Sequence, residues 1–303
     1  MSQGLDETTF TYPSADGFEI AVRRWSAGGP DAPAPIGVIQ IAHGMGEHSA
    51  RYRRLAQALT GAGWIVYADD HRGHGRSAVG VDGAGSTDRL GDFGPDGWDG
   101  LVHDLVRLDG RIEHDEPGLP RVLLGHSMGS FAAQQLVLDH SREIDGLVLS
   151  GTTAVDLAAS TMDPEAETDL TGLNAAFEPA RTPFDWLSRD PDEVDAYVAD
   201  PWCGFGIDRA ATKSLVEAAP RLAEPDALAA IRSDLPVYVV AGSADPLNLS
   251  LALLDLLVQR YRDAGLTDIT TAYYPDARHE VFNETNRDEI TAGLLTWLSR
   301  YDR

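Results

Sequence analysis

The sequence predicts an α/β fold, in which a mostly parallel eight-stranded sheet is flanked by helices and carries a helical insertion between two late strands. Three observations lead to this expectation. Short apolar runs of strand length alternate with longer helical patterns, which is typical of a parallel sheet covered by helices. Most of these runs are continuously apolar, as expected for strands buried on both faces. One long segment, residues 152–233, interrupts the alternation.

The first two strands are predicted to pair as an antiparallel hairpin at one edge of the sheet. Phe10–Tyr12 and Phe18–Trp25 flank residues 14–17, whose serine, aspartate and glycine favour a turn. Residues 26–35 are rich in glycine, proline and alanine, which predicts a loop before the next strand.

Six further strands are predicted to follow, joined by helical crossovers. The strands are Gly37–Ala42, Trp64–Ala68, Val122–Leu124, Leu147–Leu149, Val237–Ala241 and Ile269–Tyr274. Helical patterns cover about residues 51–62, 98–114, 128–140, 249–264 and 285–301. Crossovers are needed because successive parallel strands must start from the same edge of the sheet.

The segment 152–233, called the cap below, is predicted to fold as a mostly helical unit over the functional site. It separates two strands by far more than an ordinary crossover, and it is acidic and rich in proline and aromatic residues. A structureless loop of this length is uncommon in a compact domain. The chain is therefore divided into a core, residues 1–151 and 234–303, and the cap between them.

A candidate nucleophile lies where the strand Val122–Leu124 meets a helix. Residues 125–129 read Gly-His-Ser-Met-Gly, the G-x-S-x-G pattern of a nucleophile elbow. A serine on so sharp a turn has strained backbone dihedrals, so the residues two positions before and after it must lack side chains. The turn presents the Ser127 hydroxyl at a helix N-terminus, where backbone N–H groups favour a developing oxyanion. An ordinary glycine-rich turn is the alternative.

The order of residues along the chain indicates which base and acid would serve Ser127. Proteins with this elbow carry the partners in the order serine, acid, histidine. His279 is the only histidine after residue 140, and it follows the last predicted strand. Asp245 follows the preceding strand, at the edge where catalytic groups collect, and would hold the tautomer of His279. Asp276 competes with Asp245, but it lies only three residues from His279 and has little room to reach it.

The oxyanion of such a reaction needs two backbone donors. Met128, the residue after the nucleophile, supplies one N–H group, and the loop after an early strand supplies the other. This loop reads His43-Gly44-Met45-Gly46, and Met45 is the candidate donor.

The histidines also raise the question of a metal site. His43, His48, His71 and His74 could pair as ligands, but no Cys-x-x-Cys or H-E-x-x-H pattern accompanies them. We predict no metal site and interpret these residues as a hydrogen-bonded support beneath the pocket. Cys203 lacks a nearby histidine in the sequence and is interpreted as a small apolar residue of the cap.

The charge balance argues against nucleic acid or an anionic lipid surface as a partner. The chain has 24 Lys and Arg against 48 Asp and Glu, a formal net charge of −24. A field of this sign repels phosphate groups. Adaptation to salt and ordinary surface solvation are both open as reasons for the acidity.

Composition also predicts a cytoplasmic protein without integral membrane association. A single cysteine excludes an internal disulfide, which fits a reducing compartment. The first residues show neither the basic nor the apolar region of a secretory signal. No apolar run reaches the roughly 18 residues of a membrane-spanning helix. The oligomeric state stays open.

Five motifs resemble the monoacylglycerol lipase-like branch of the α/β-hydrolases, which includes bacterial lysophospholipase-like proteins. They are HGMGEHSARY at 43–52, DHRGHGRS at 70–77, GHSMGS at 125–130, GSAD at 242–245 and RHEVFNE at 278–284. The resemblance implies the α/β-hydrolase fold and hydrolysis of a small-molecule carboxylic ester with a medium or long acyl chain, without a cofactor. It also implies catalytic roles for Ser127, Asp245 and His279. Ser130 departs from the family, which often has a third glycine there.

Two interpretations are open for the aromatic residues of the cap: they line an acyl pocket, or they form the small core of the cap itself. These residues are Phe177, Phe184, Trp186, Trp202 and Phe205.

Three functions are open for a protein with these motifs. The first is a serine esterase that works through an acyl-enzyme. The second is an amidase, a peptidase or a C–C bond hydrolase, because the same triad serves all of them. The third is a non-catalytic binding protein, which would be expected to have a broken triad. A dehalogenase or epoxide hydrolase of this fold would need a carboxylate at position 127.

Overall fold

A single sheet of eight strands lies at the centre of the protein in the computed structural model, which describes residues 4–29, 32–80 and 82–302. The strands are β1 (Gly4–Pro13), β2 (Glu19–Gly28), β3 (Gly37–Ala42), β4 (Trp64–Asp70), β5 (Arg121–His126), β6 (Gly146–Ser150), β7 (Val237–Gly242) and β8 (Ile269–Tyr274). Their order in the sheet is β1-β2-β4-β3-β5-β6-β7-β8. β1 and β2 form an antiparallel hairpin, β2 pairs antiparallel with β4, and all other neighbours are parallel.

Helices cover both faces of this sheet. They are α1 (Arg53–Gly61), α2 (Gly75–Val79), α3 (Gly97–Asp115), α4 (Met128–His140), α5 (Val155–Ala159), α6 (Pro191–Ala199), α7 (Arg209–Ala218), α8 (Pro225–Leu228), α9 (Ala252–Asp263) and α10 (Arg287–Leu298). Short 3-10 helices occupy Ser49–Tyr52, Thr87–Arg89, Thr171–Phe177, Ala219–Ala223, Pro246–Asn248, Val281–Asn283 and Ser299–Tyr301. No helix among the described residues is both long and apolar enough to cross a membrane.

Two hydrophobic layers form because alternate residues of each strand face opposite sides of the sheet. Val122 and Leu124 of β5 pack with residues of α1 and α10, whereas Leu123 packs with residues of α3, α4 and α9. Burial on both sides explains why the central strands are continuously apolar in sequence. The eight-stranded, mostly parallel sheet with flanking helices confirms the predicted fold class.

The bounds of several elements differ from the sequence-based expectation, most clearly in the hairpin and at the start of α9. The hairpin strands are longer than predicted, because β1 lies at the sheet edge and its alternation of polar and apolar residues is incomplete. Helix α9 begins at Ala252 rather than near residue 249. Leu249, Ser250 and Leu251 have φ values of 44°, 56° and 74°, which no right-handed helix can include.

The residues between β6 and β7 fold into short helices joined by turns. Four α-helices, α5 to α8, and two 3-10 helices lie there. The cap contacts the core through backbone hydrogen bonds as well as side chains. Gly204 N–H donates to Gly46 O at 3.0 Å, and Glu280 N–H donates to Leu187 O at 2.7 Å. The division of the chain at residues 152 and 233 stays a prediction.

Sheet register brings the loops of the predicted site together. β3 and β5 are neighbours with Ala42 opposite Gly125, so the loops after these two strands begin side by side. β7 and β8 are also neighbours, with Gly242 opposite Tyr274. All four loops therefore emerge from the same carboxyl edge of the sheet, where ligands bind in open α/β folds.

Candidate active site

Ser127 occupies a strained turn between β5 and α4. Its φ of 50° and ψ of −123° are rare for a residue with a side chain. Ser127 N–H donates to Ser150 O at 2.9 Å, which ties the turn to the neighbouring strand. A Cβ atom added at Gly125 would lie 2.6 Å from Gly129 O, and one at Gly129 would lie 2.2 Å from Ala42 O. The crowding shows why this turn needs both glycines.

Ser130 supports the turn from inside α4. Its hydroxyl donates to Ser127 O at 2.6 Å, and its backbone N–H donates to the same oxygen at 2.8 Å. A glycine at this position would leave only the backbone bond.

Asp245 and His279 meet directly. Asp245 follows β7, His279 follows β8, and Oδ2 of the aspartate lies 2.9 Å from Nδ1 of the histidine. Both side chains are buried. Asp276 is exposed, and its backbone N–H donates to the Ser243 hydroxyl. No hydrogen bond joins its carboxylate to His279. Of the two candidate acids, the structure thus brings Asp245 onto the imidazole.

His279 and Ser127 line one cavity, and Nε2, the second ring nitrogen of His279, is not used by Asp245. Nε2 is buried and has no hydrogen-bond partner among the described residues, so no hydrogen bond joins it to the Ser127 hydroxyl. Such bonds are often long in unliganded enzymes and tighten when substrate binds. The imidazole is held between Trp186 and His126, whose rings both lie 4.8 Å from it between centroids.

The loop after β3 approaches the nucleophile and leaves the N–H group of Met45 without an acceptor among the described residues. Gly44 N–H donates to Glu47 Oε1 at 2.6 Å, and Gly46 N–H donates to His74 Nε2 at 3.2 Å. Met45 N–H, between them, has no acceptor among the described residues. A Cβ atom at Gly44 would lie 3.1 Å from Ser127 Cβ, so the loop runs directly beside the serine.

Met128 N–H is the second free donor beside Ser127. It is the first N–H group of α4, where no intrahelical acceptor exists, and no acceptor is found among the described residues. Both candidate donors are therefore available to an anion at the serine.

Buried histidines support the Met45 loop from below. His43 Nε2 accepts the N–H group of His71 at 3.0 Å, and burial lowers the pKa of His43 to about 4 and that of His74 well below its usual value. Burial alone also lowers the pKa of His71, but the Asp69 carboxylate at 2.7 Å outweighs this and raises it. These nitrogens are used in hydrogen bonds, which leaves no free lone pairs for a metal ion.

Among the residues described by the structure, one group of three side chains could hold a metal. His48, Asp200 and Cys203 place their ligand atoms within 4.8 Å of one another. His48 Nε2 is already hydrogen-bonded to Asp200 at 2.9 Å. Burial raises the pKa of the Cys203 thiol, and a protonated thiol is a poor ligand. We interpret the group as a contact between the loop and the cap.

Sequence reasoning missed a buried network that links the Met45 loop to the His279 loop. Arg51 donates to Glu47 Oε2 at 2.6 Å and through both terminal nitrogens to Glu280. Burial raises the pKa of Glu47, but Arg51 outweighs it and holds this pKa well below its usual range. The i,i+4 spacing of Glu47 and Arg51 was a signal, but Glu280 lies 229 residues from Arg51.

Carboxylates around His279 favour its charged form. Burial lowers the pKa of His279, and the carboxylates of Asp245, Glu280 and Glu47 outweigh it, so the pKa is raised. The neighbouring His126 is held neutral, since burial lowers its pKa to about 4.

Replacing Glu280 by glutamine is expected to move the acid limb of the kcat/KM profile to lower pH. The base must be neutral, so activity rises as pH passes through the pKa of His279, and removing a nearby negative charge lowers that pKa. Plateau kcat should stay within about tenfold of wild type. Stopped assays between pH 4 and 9 measure the limb.

Glu284→Gln is the matched control for this change. Glu284 is a buried carboxylate of the same loop, but it accepts hydrogen bonds from Arg189 and from the N–H group of Arg278. We expect this variant to lose stability without moving the acid limb. An acid limb that Glu280→Gln leaves in place would contradict the electrostatic role.

A mostly apolar cavity of about 560 Å³ opens onto Ser127. Its volume suits a ligand of small-molecule size. The apolar wall comes from the Met45 loop, the elbow, the cap and the loop after β7. It includes Met45, Phe131, Leu157, Ala158, Met162, Leu173, Trp186, Leu247 and Leu253.

Of the five cap aromatics predicted as candidate pocket residues, Trp186 is the one that lines this cavity. Phe184 packs on Tyr197, with ring centroids 5.1 Å apart, and Phe177 packs within the same small cluster of the cap. Trp202 and Phe205 instead contact histidines of the core, His48 and His74 respectively. The alternative interpretation, the small core of the cap, fits Phe177 and Phe184, whereas Trp202 and Phe205 join the cap to the core.

Comparison with known proteins places these features in a wider group. A family model described as "Serine aminopeptidase, S33" matches residues 33–286. The monoacylglycerol lipase of Mycolicibacterium smegmatis is 33% identical over 291 residues, covering 95% of this chain and 95% of that protein. The human monoglyceride lipase is 31% identical over 291 residues, covering 90% of this chain and 87% of that protein.

A solved structure shows the same likeness in three dimensions. The crystal structure of a thermostable carboxyl esterase from Bacillus coagulans, in complex with glycerol, superimposes with a TM-score of 0.84 at 28% sequence identity. The match covers 97% of this chain and 98% of that chain.

Proposed function

Because this chain belongs to the monoacylglycerol lipase-like family of α/β-hydrolases and is a carboxylic ester hydrolase, we propose that it cleaves monoacylglycerols or similar esters of medium- or long-chain acids through an acyl-enzyme. One observation carries the finer part of this proposal. The strained Ser127 and the free Nε2 of His279 line one cavity whose wall is largely apolar. A site of this kind suits an acyl chain held beside a nucleophile.

In the proposed mechanism, Ser127 attacks the ester carbonyl while His279 Nε2 accepts its proton. The tetrahedral oxyanion is bound by the N–H groups of Met45 and Met128, donors of a kind worth about 2.7–4 kcal/mol each. His279 then protonates the leaving alcohol, which departs and leaves the acyl group on Ser127. Water, activated by His279, releases the acid and restores the serine.

We expect kcat/KM to rise with acyl length until the cavity is filled, because each buried methylene contributes about 0.8 kcal/mol, or roughly fourfold. Rates of hydrolysis of 1-acylglycerols whose acyl chains have 4 to 16 carbons measure this profile. A profile that falls steadily from the shortest ester would contradict an acyl-binding role for the cavity.

A cavity-filling variant tests the same point from the protein side. Ala158 of α5 lies on the cavity wall, so Ala158→Phe should lower kcat/KM for esters with 10 or more carbons by about tenfold and spare butanoyl esters. Ala175→Phe is the control, because Ala175 is an exposed cap residue outside the cavity. Equal losses on short and long esters would point to a folding defect instead.

A peptidase is the second candidate, because the matching family model is described as a serine aminopeptidase. Such an enzyme would need an acceptor for the α-ammonium group of its substrate. Of the acids on the cavity wall, Glu47 and Glu280 are both paired with Arg51, so neither is free to bind this group. Asp163, Glu167 and Asp169 on the same wall have no Lys or Arg partner among the described residues, so the rates below must decide. Parallel rates on aminoacyl p-nitroanilides and p-nitrophenyl esters separate the two functions.

We also propose that residues 152–233 form a cap that determines acyl specificity, and that the protein is cytoplasmic. The single cysteine is compatible with that location. Fractionation of cells that express a tagged chain tests it.

A further inference from the structure

All the lining residues of the cavity that carry a formal charge near neutral pH, histidines aside, are acids. Five carboxylates lie on the wall, and no Lys or Arg does among the described residues. They are Glu47, Asp163, Glu167, Asp169 and Glu280. The five carboxylates differ in what surrounds them, and this difference decides what they can do to a ligand.

The two buried carboxylates are paired with an arginine, whereas the three exposed ones are not. Glu47 and Glu280 share the Arg51 guanidinium. The others form the acidic rim, defined as Asp163, Glu167 and Asp169, on the exposed turn that follows α5. No Lys or Arg of the described chain forms an ion pair with this rim.

Local hydrogen bonds hold two of the rim carboxylates in place. Asp163 Oδ1 accepts the N–H group of Glu165 at 2.9 Å, and Asp169 Oδ1 accepts the N–H group of Thr171 at 2.8 Å. The neighbouring Glu165 is the residue that pairs with cations, Arg209 and Lys213, but it does not line the cavity. The rim therefore keeps its negative charge at the opening.

The rim belongs to the cavity of the candidate active site. The same cavity is lined by Ser127 and His279, whose Nε2 is buried and has no hydrogen-bond partner among the described residues. We infer that the acidic rim makes the enzyme selective for uncharged acyl esters over anionic ones. The inference rests on the proposed ester hydrolysis and concerns which esters reach the nucleophile.

Coulomb repulsion is the physical cause. A substrate bound in this cavity shares it with three exposed carboxylates that no Lys or Arg of the described chain pairs with, and the net charge of −24 adds to the field that opposes an anion. Hydrolysis adds one water across the ester and yields an alcohol and an acid. The acid loses its proton to solvent near neutral pH, so the same rim weakens binding of the product carboxylate and disfavours its rebinding.

The test compares two nitrophenyl esters with the same acyl chain and the same ortho-nitro arrangement, 2-nitrophenyl octanoate and 4-nitro-3-(octanoyloxy)benzoate, which carries one negative charge. We expect the kcat/KM ratio, neutral over anionic, to fall about tenfold as sodium chloride rises from about 10 mM to 500 mM, because salt screens exposed charges. Any difference in intrinsic reactivity between the two esters enters the ratio at both salt concentrations and cancels when the two ratios are compared. The change in the ratio therefore reports electrostatics.

Two triple variants locate the effect. D163N/E167Q/D169N neutralises the rim and should remove most of the salt dependence of the ratio. E217Q/E224Q/D226N removes the same amount of charge from exposed acids outside the cavity and should keep it. Equal effects of the two triples would overturn the role of the rim, as would a ratio that salt leaves unchanged in the wild type. If neither ester is hydrolysed, the proposed function itself fails.

Discussion

Ser127→Ala is expected to lower kcat for p-nitrophenyl esters by about 10⁵- to 10⁶-fold, the largest effect predicted for this protein. In the proposed mechanism the Ser127 hydroxyl forms the acyl-enzyme, and without it the N–H groups of Met45 and Met128 would give only a modest rate enhancement. Alanine keeps the Cβ atom, so the strained turn and its crowding by Gly125 and Gly129 are unchanged. Initial rates and labelling by a fluorophosphonate probe measure the loss.

Ser130→Ala is the matched control. Ser130 is also buried at the elbow, and its hydroxyl donates to Ser127 O rather than facing the cavity. We expect this variant to label with the probe and to lose no more than about tenfold in kcat. Near-wild-type turnover by Ser127→Ala would remove the serine from the mechanism, and a melting curve for each variant excludes misfolding as the cause of any loss.

The second large effect is expected for Asp245→Asn, which should lower kcat by about 10³- to 10⁴-fold. Asp245 accepts two hydrogen bonds, from Leu247 N–H at one oxygen and from His279 Nδ1 at the other. An asparagine that keeps its oxygen toward Leu247 turns its NH₂ group toward His279. The imidazole must then carry its proton on Nε2, where it can no longer accept the serine proton.

Asp276→Asn is the control, because the sequence offers Asp276 as a rival acid. It lies in the same loop as His279, is exposed, and has a φ of 59°, which asparagine tolerates well. We expect rates within about twofold of wild type. A severe loss in Asp276→Asn together with an active Asp245→Asn would reverse the assignment of the acid.

Much of the fold could be predicted because it depends on local patterns. Continuous apolar runs marked the buried strands, and helix α4 has the predicted bounds, since its start is determined by the elbow before it. The predicted start of α9 was wrong by a few residues. Nothing in the residue types of Leu249, Ser250 and Leu251 signals left-handed backbone, which normally favours glycine or asparagine.

The candidate site, too, could be predicted only in part from the sequence. The positions of Ser127, Asp245 and His279 follow from the order of motifs after successive strands, and the comparisons confirm the family resemblance that those motifs indicated. The hydrogen bond that selects Asp245 over Asp276 is visible only in the folded chain, because it joins loops from two neighbouring strands.

By itself, then, the sequence determined the succession of strands and helices along an α/β core, the elbow with its two glycines and the identity of the nucleophile candidate. These depend on the steric limits of one turn and on the spacing of apolar residues. Tertiary structure alone decided that Trp186 lines the cavity, that Arg51 joins Glu47 to Glu280, and that the rim is acidic without compensation. Each of these depends on side chains from distant segments, whose contacts exist only once the sheet register and the cap have brought them together.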